Sequence, residues 1–185
     1  VTVLEAGAPG GGTSGTSFAW TNSFHKTPRD YHDLNTASMI EHLSLVSELG
    51  GGDWHKQEGA LAWEEEPLPR AQLKETVERL GSWGYPVEII SAEDARKLEP
   101  DLRIAPHVDE VVFTPSEGYV DVVPLIGRLL AHAVRRGARV VSGERVTGVI
   151  REGKRVRGVT TASGARLEAD MVVDCAGPAT DEVAR

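Results

Sequence analysis

The chain has 185 residues, 40% hydrophobic and 26% charged, which is the balance of an ordinary globular protein with length for one core or two small ones. A net charge of −8 and a pI near 5.3 exclude nucleic acid and anionic membrane as electrostatically favoured partners. No apolar run approaches the roughly 20 residues of a membrane helix, a single cysteine excludes an internal disulfide framework, and the N-terminus reads as a strand, not a signal peptide, so a cytoplasmic location is expected by default.

The first seventeen residues, VTVLEAGAPGGGTSGTS, are the most informative. Residues 1–4 predict a short apolar strand ending in an acid, Glu5, and a turn of small residues follows at once. In a dinucleotide-binding βαβ unit, the acid at the tip of the second strand accepts hydrogen bonds from the adenosine ribose hydroxyls. The glycine fingerprint that cradles the pyrophosphate lies about 20 residues upstream of such an acid. Only four residues precede Glu5, so the chain is expected to start inside a cofactor site. Gly10, Gly12 and Gly15 satisfy G-x-G-x-x-G literally, but residues 6–9 separate them from the strand and no amphipathic helix is predicted before Pro28. They are read as a decoy, and a solvated acid closing an ordinary strand is the plain alternative for Glu5.

Pro28 and Asp30 introduce a helix to about Leu49, with Tyr31, Leu34, Ile40, Leu43, Val46 and Leu49 as its apolar stripe and Gly50, Gly51 and Gly52 as its stop. A strand is predicted over 56–65, leaving through the acids Glu64, Glu65 and Glu66, which read as a solvated exit. A helix over 69–83 turns Leu73, Val77 and Leu80 inward, and a short strand over 87–90 follows. Ser91 and Asp94 have the spacing of a capping box for a helix that Pro100 ends. A strand candidate covers 111–113. Asp121 then opens an amphipathic helix carrying Val122, Leu125, Ile126, Leu129, Leu130, Ala133 and Val134, stopped by Gly137. Strands over 139–142, 146–151, 156–161 and 166–174 form a meander, against the regular alternation of a nicotinamide-dependent Rossmann dehydrogenase. Cys175 reads as a small buried hydrophobe, and Pro178 starts a last helix. Both ends cut across elements, so the chain reads as a fragment.

Four stretches together resemble the D-amino-acid oxidase, glycine oxidase and sarcosine oxidase superfamily of FAD-dependent oxidoreductases. VTVLEAG resembles its second strand with the ribose-binding acid, and GTSGTSFAWTN its passage along the pyrophosphate and ribityl chain towards flavin. GYVDVVPLIGRLLAHAVRRGARV resembles its Gly-x-Val-Asp-Pro entry, helix and strand, with Val122 where the family often has Pro. RVTGVI and VRGVTTASGARLEADMVVDCAGPAT resemble its adenine-side strand, meander and Ala-Gly turn.

The resemblance implies an α/β fold: an FAD-binding Rossmann-like domain of the glutathione-reductase type, formed by 1–54 and 118–185, with part of a mixed-sheet substrate domain at 55–117. It implies that Glu5 binds the adenosine ribose with Ala6 beside it, and that Thr13 and Ser14 donate to the pyrophosphate. Ser17 and Ala19, where relatives often carry Asn and Gly, and Trp20 would lie towards the flavin. Val146 would pair its backbone with adenine, and Ala176 and Gly177 would admit the cofactor close to the backbone. Some relatives attach flavin through a His at the position of Ser17; Ser cannot do so, which implies non-covalent FAD. His25 and Lys26 follow the same stretch and offer a cation to flavin or to a substrate carboxylate. The implied reaction is oxidation of the C–N bond of a small amine or amino acid by hydride transfer to flavin. The alternatives are a non-catalytic truncated remnant and, less readily, a nicotinamide-dependent dehydrogenase. No catalytic residue and no metal site are named, and the chain alone is expected to bind FAD weakly and without turnover.

Overall fold

The chain begins with β1 (Thr2–Glu5), α1 (Thr13–Thr16), β2 (Trp20–Thr21) and α2 (Arg29–Glu48). Then come β3 (His55–Lys56), β4 (Ala60–Ala62), α3 (Pro67–Ser82), β5 (Glu88–Ser91), α4 (Ala92–Leu98), β6 (Glu110–Thr114) and β7 (Gly118–Val120). The last elements are α5 (Val122–Arg135), β8 (Arg139–Ser142), β9 (Val146–Glu152), β10 (Arg155–Thr161), β11 (Arg166–Glu168), a 3-10 turn at Gly177–Ala179 and α6 (Thr180–Val183). The computed structural model describes residues 1–183, in two units: Val1–Ser17 with the segment from Val122 onward, and Phe18–Asp121.

In the first unit, β1 runs parallel to β8, with Glu5 opposite Ser142. Helix α5 packs on β8 and on α1, and Leu125 is its buried residue. Its end follows from Gly137: the Ala138 N–H reaches the Ala133 carbonyl at 2.9 Å and the Gly137 N–H reaches Val134 at 2.9 Å. Strands β9, β10 and β11 form the antiparallel meander, with β9 at its edge. The strand expected over 166–174 stops at Glu168. The Ala169 N–H still bonds the Arg157 carbonyl, but β10 begins only two residues earlier in the chain, so nothing is left for 170–174 to pair with. Met171 and Val173 are accordingly exposed, and Cys175, expected to be buried, is exposed as well.

In the second unit, two three-stranded sheets run in the orders β2-β7-β3 and β4-β6-β5, all antiparallel. The strand expected over 56–65 is two strands, because Gly59 turns the chain with φ +91° and its α-hydrogen side abuts the Phe113 ring, where a Cβ would stand 2.2 Å away. Helix α2 corrects its expected stripe. Of that stripe Leu49 is buried as expected, but Tyr31, Leu34, Ile40 and Leu43 are exposed, whereas His32 and Met39, seven residues apart, are buried. A bonded histidine occupies the inner face, and a count of apolar residues alone misses it. The glycine stop holds: with Gly50 at φ +73°, the Gly51 N–H bonds Val46 at 3.1 Å and the Gly50 N–H bonds Ser47 at 3.3 Å.

Helix α3 brings Leu80 into a core with Phe24, Tyr85 and Val112, against which Leu73 and Val77 pack. Ala92, Ala95, Ile104, Val108 and Val111 form a second core beneath α4. The chain's compact division falls after Ser17 and after Asp121. Residues 18–54 and 118–121 lie in the second of these units.

Candidate functional site

The site grows from the end of β1. Glu5 is the last residue of a strand whose partner β8 turns sharply after Ser142. That turn is tied to β1: the Glu144 N–H bonds the Glu5 carbonyl at 2.9 Å and the Gly143 N–H bonds Gly7 at 3.1 Å. Val146 opens β9 two residues beyond Glu144, so the fold joins the tip of β1 to the start of the meander. The Glu5 side chain curls towards its own turn, with Oε1 accepting the Gly7 N–H at 2.7 Å. Its other oxygen has no hydrogen bond among the described residues and can accept from a diol, so this carboxylate fits an adenosine ribose.

Glu144 fixes the base of the meander by accepting from the Ser163 hydroxyl at 3.0 Å and the Ser163 N–H at 3.3 Å. Hydrogen bonds from the Thr161 and Ser163 hydroxyls hold its carboxyl below the ordinary glutamate range. Because β9 is an edge strand, alternate backbone groups along it face away from β10, which suits pairing to a planar heterocycle.

The small-residue turn is tightly folded. Gly11 N–H bonds Ala8 at 2.9 Å, and Gly15 sits so close to Gly10 that a Cβ there would meet the Gly10 carbonyl oxygen at 2.3 Å. Thr13 and Ser14 begin α1, a single helical turn that the sequence reading did not foresee because TSGT carries no apolar residue. Both are exposed, as are Ala6 and Ser17. On the far side of the meander, the Ala176 N–H bonds Asp174 Oδ1 at 2.9 Å, Gly177 takes φ +58°, and the helix that follows packs on β9. Glu5, Val146, Thr13, Ser14, Ala176 and Gly177 therefore share the first unit, with Glu5 and Val146 linked through the β8–β9 turn. Ala19 and Trp20 belong to the second unit. Trp20 pairs across the sheet with Tyr119, is 38% exposed, and meets His25 edge-on at 6.4 Å between centroids. Among the described residues, no group of three or more His, Cys, Asp or Glu is placed to hold a metal ion.

Sequence reasoning missed a buried polar cluster in the second unit. Glu117 is 0% exposed, and its Oε1 accepts from the Ser23 N–H at 2.9 Å, the Phe24 N–H at 2.8 Å and the Tyr85 hydroxyl at 2.7 Å. The Ser23 hydroxyl donates to the His32 carbonyl at 2.8 Å, so His32 Nδ1, 2.8 Å from the same hydroxyl oxygen, is the protonated nitrogen. Burial, and next the hydrogen bond to Glu117, push the Tyr85 phenol well above its ordinary value. An isolated acid in SEGYV carries no spacing signal, so nothing in the sequence announces this cluster.

A strand tipped by a ribose-type acid, lying parallel to the strand that feeds an antiparallel meander, defines a Rossmann-like FAD-binding architecture. The family model for the FAD-dependent oxidoreductases of the DAO type matches residues 1–185, and the chain belongs to that family, whose cofactor is FAD.

Among solved structures, L-proline dehydrogenase from P. horikoshii superposes with a TM-score of 0.80 at 22% identity, over 99% of this chain and 48% of that one. Glycine oxidase from Bacillus cereus superposes with a TM-score of 0.80 at 18% identity, over 92% of this chain and 46% of that one. A curated relative, the anaerobic glycerol-3-phosphate dehydrogenase subunit A1 of Haloferax volcanii, is 41% identical over 76 residues, 41% of this chain and 12% of its own length. The chain thus spans less than half of the length of these proteins. Among the described residues no helix is long and apolar enough to cross a membrane.

Proposed function

We propose that the chain holds FAD non-covalently and serves the oxidation of a C–N bond in a small amine or amino acid. The observation that carries this reading is Glu5 at the tip of β1, bonded through its backbone to the β8–β9 turn, in a chain matched throughout by an FAD-dependent family. In this reading the free Glu5 oxygen accepts from the ribose diol, with Ala6 alongside, and the Val146 backbone pairs with adenine. Thr13 and Ser14 donate hydroxyl protons to the pyrophosphate, and the exposed Ala176–Gly177 turn leaves room for the cofactor because neither residue has a side chain beyond Cβ. Ser17, Ala19 and Trp20 are the candidates on the flavin side, and Ser17 offers no nucleophilic nitrogen for a covalent bond. The same reading keeps 1–54 and 118–185 as FAD-binding and 55–117 as substrate-facing segments, in a cytoplasmic protein with no nucleic-acid partner.

When bound, FAD supplies the electron sink for a hydride from the substrate carbon. The chain's own residues bind and orient it. The names glycine oxidase and L-proline dehydrogenase among the structural relatives support an amino-acid substrate. A second reading, oxidation of a C–O bond in a phosphorylated alcohol, is favoured by the 41% identity to a glycerol-3-phosphate dehydrogenase subunit. An anaerobic panel of amino acids, amines and glycerol 3-phosphate, offered to the FAD-loaded holoenzyme, separates them. Bleaching of the flavin band by an amine or amino acid supports the first reading; bleaching by glycerol 3-phosphate alone overturns it in favour of the second.

A further inference from the structure

We propose that Glu117 is a positioning residue for FAD binding: its buried carboxyl fixes the backbone at Ser23 and Phe24, directly after the strand that carries Ala19 and Trp20, two of the flavin-side candidates named above. The inference rests on that assignment.

The stretch is held step by step. The Ala19 carbonyl accepts the Val120 N–H at 3.1 Å. Trp20 and Thr21 pair with Tyr119 and Gly118 of β7. Beyond Thr21 the ladder ends, and Glu117 takes over: one oxygen receives the consecutive N–H groups of Ser23 and Phe24. Two neighbouring donors converging on a single acceptor fix the orientation of the peptide between them. Glu117 is itself clamped. Its N–H bonds Thr114 at 3.2 Å, its carbonyl accepts the Gly59 N–H at 2.9 Å, and the next residue has no room for a side chain, since a Cβ at Gly118 would lie 1.8 Å from the Lys56 carbonyl oxygen.

The carboxyl also carries an oxygen that fold stability does not use. Glu117 Oε2 is buried and has no hydrogen-bond partner among the described residues, which disfavours folding. What the side chain does provide is a rigid acceptor beneath a stretch that contains Ala19 at φ +45° and ends at His25, whose ring stands edge-on to Phe24 at 4.6 Å. The role is positional, because Glu117 is fully buried and has no exposed atom to offer a ligand.

The test is an equilibrium FAD titration by fluorescence anisotropy on the 185-residue chain and its E117A, E117Q and Y85F variants, with thermal unfolding of each. E117Q keeps an acceptor oxygen for both N–H groups and is expected to bind FAD within about two-fold of the unaltered chain. E117A removes the acceptor and is expected to weaken FAD by about ten-fold or more at a temperature where it is folded. Y85F removes only the third donor, so it lowers the unfolding temperature and leaves FAD affinity unchanged. If E117A does not fold, E117D, which withdraws the carboxyl by one methylene, carries the same expectation of weaker FAD. Wild-type affinity in a folded E117A, or FAD affinity that simply tracks unfolding temperature across all variants including Y85F, overturns the inference alone. Absence of saturable binding by the unaltered chain overturns the flavin reading, and this inference with it.

Discussion

Ala19 stands at φ +45°, where the Cβ of an L-residue crowds its own backbone at a cost of roughly 1–2 kcal/mol, whereas Gly adopts the conformation freely. Gly has its own entropic penalty of about 0.5–1 kcal/mol in the unfolded chain, so Ala19→Gly is expected to stabilise by about 0.5–1 kcal/mol, read as a higher urea midpoint. Members of the resembled superfamily often carry Gly at this place, and the positive φ supplies the reason. Tyr85 provides a pH prediction. Its phenol is raised above the ordinary tyrosine value of about 10, by burial first and then by the Glu117 hydrogen bond. The folded chain thus keeps a proton that the unfolded chain releases, so this contribution is fully present below about pH 10 and is lost progressively as pH rises above it. Urea unfolding followed from neutral to alkaline pH is expected to show this decline, and Y85F is expected to flatten it. Glu5 was legible in the sequence because a strand-terminal acid before a small-residue turn is a positional signal. Glu117 and His32 were not, because a buried polar residue is identified by the partners that folding brings to it: Glu117 lies 94 residues from Ser23, and the His32 ring meets those of Trp83 and Tyr85.

At the scale of elements, local chemistry was legible where it is self-contained. Ser91 accepts the Asp94 N–H at 3.0 Å and donates its hydroxyl to Asp94 Oδ2 at 2.7 Å, as the capping-box spacing implied. Ser91→Ala is expected to destabilise by about 1 kcal/mol, measured as a lower urea midpoint. The ends of α2 and α5 were legible for the same reason, since a glycine stop needs only its own helix. Elements whose extent depends on a partner were misread. The last strand stops at Glu168 because its neighbour runs out, not because residues 170–174 lack strand character. The inner face of α2 was misread because Ser23, in the loop that precedes the helix, satisfies His32 and lets it be buried.

At the scale of the whole chain, the fold class was legible from the order of motifs, none of which is decisive by itself. Strand β1, helix α5, β8 and the antiparallel meander appear in the expected order, and the family match spans residues 1–185. The two compact units part after Ser17 and after Asp121, and that division depends on which sheets residues 18–54 join, a non-local matter. The central claim, that the tip of β1 receives the adenosine end of FAD, is tested most directly by an equilibrium FAD titration of the chain and its Glu5→Ala variant, with AMP as competitor. The account predicts saturable binding that AMP displaces, weakened in Glu5→Ala by about ten-fold or more, the loss of hydrogen bonds to a charged acceptor worth roughly 1.5–3 kcal/mol. Equal affinity in the two proteins, or binding that AMP does not displace, would contradict it.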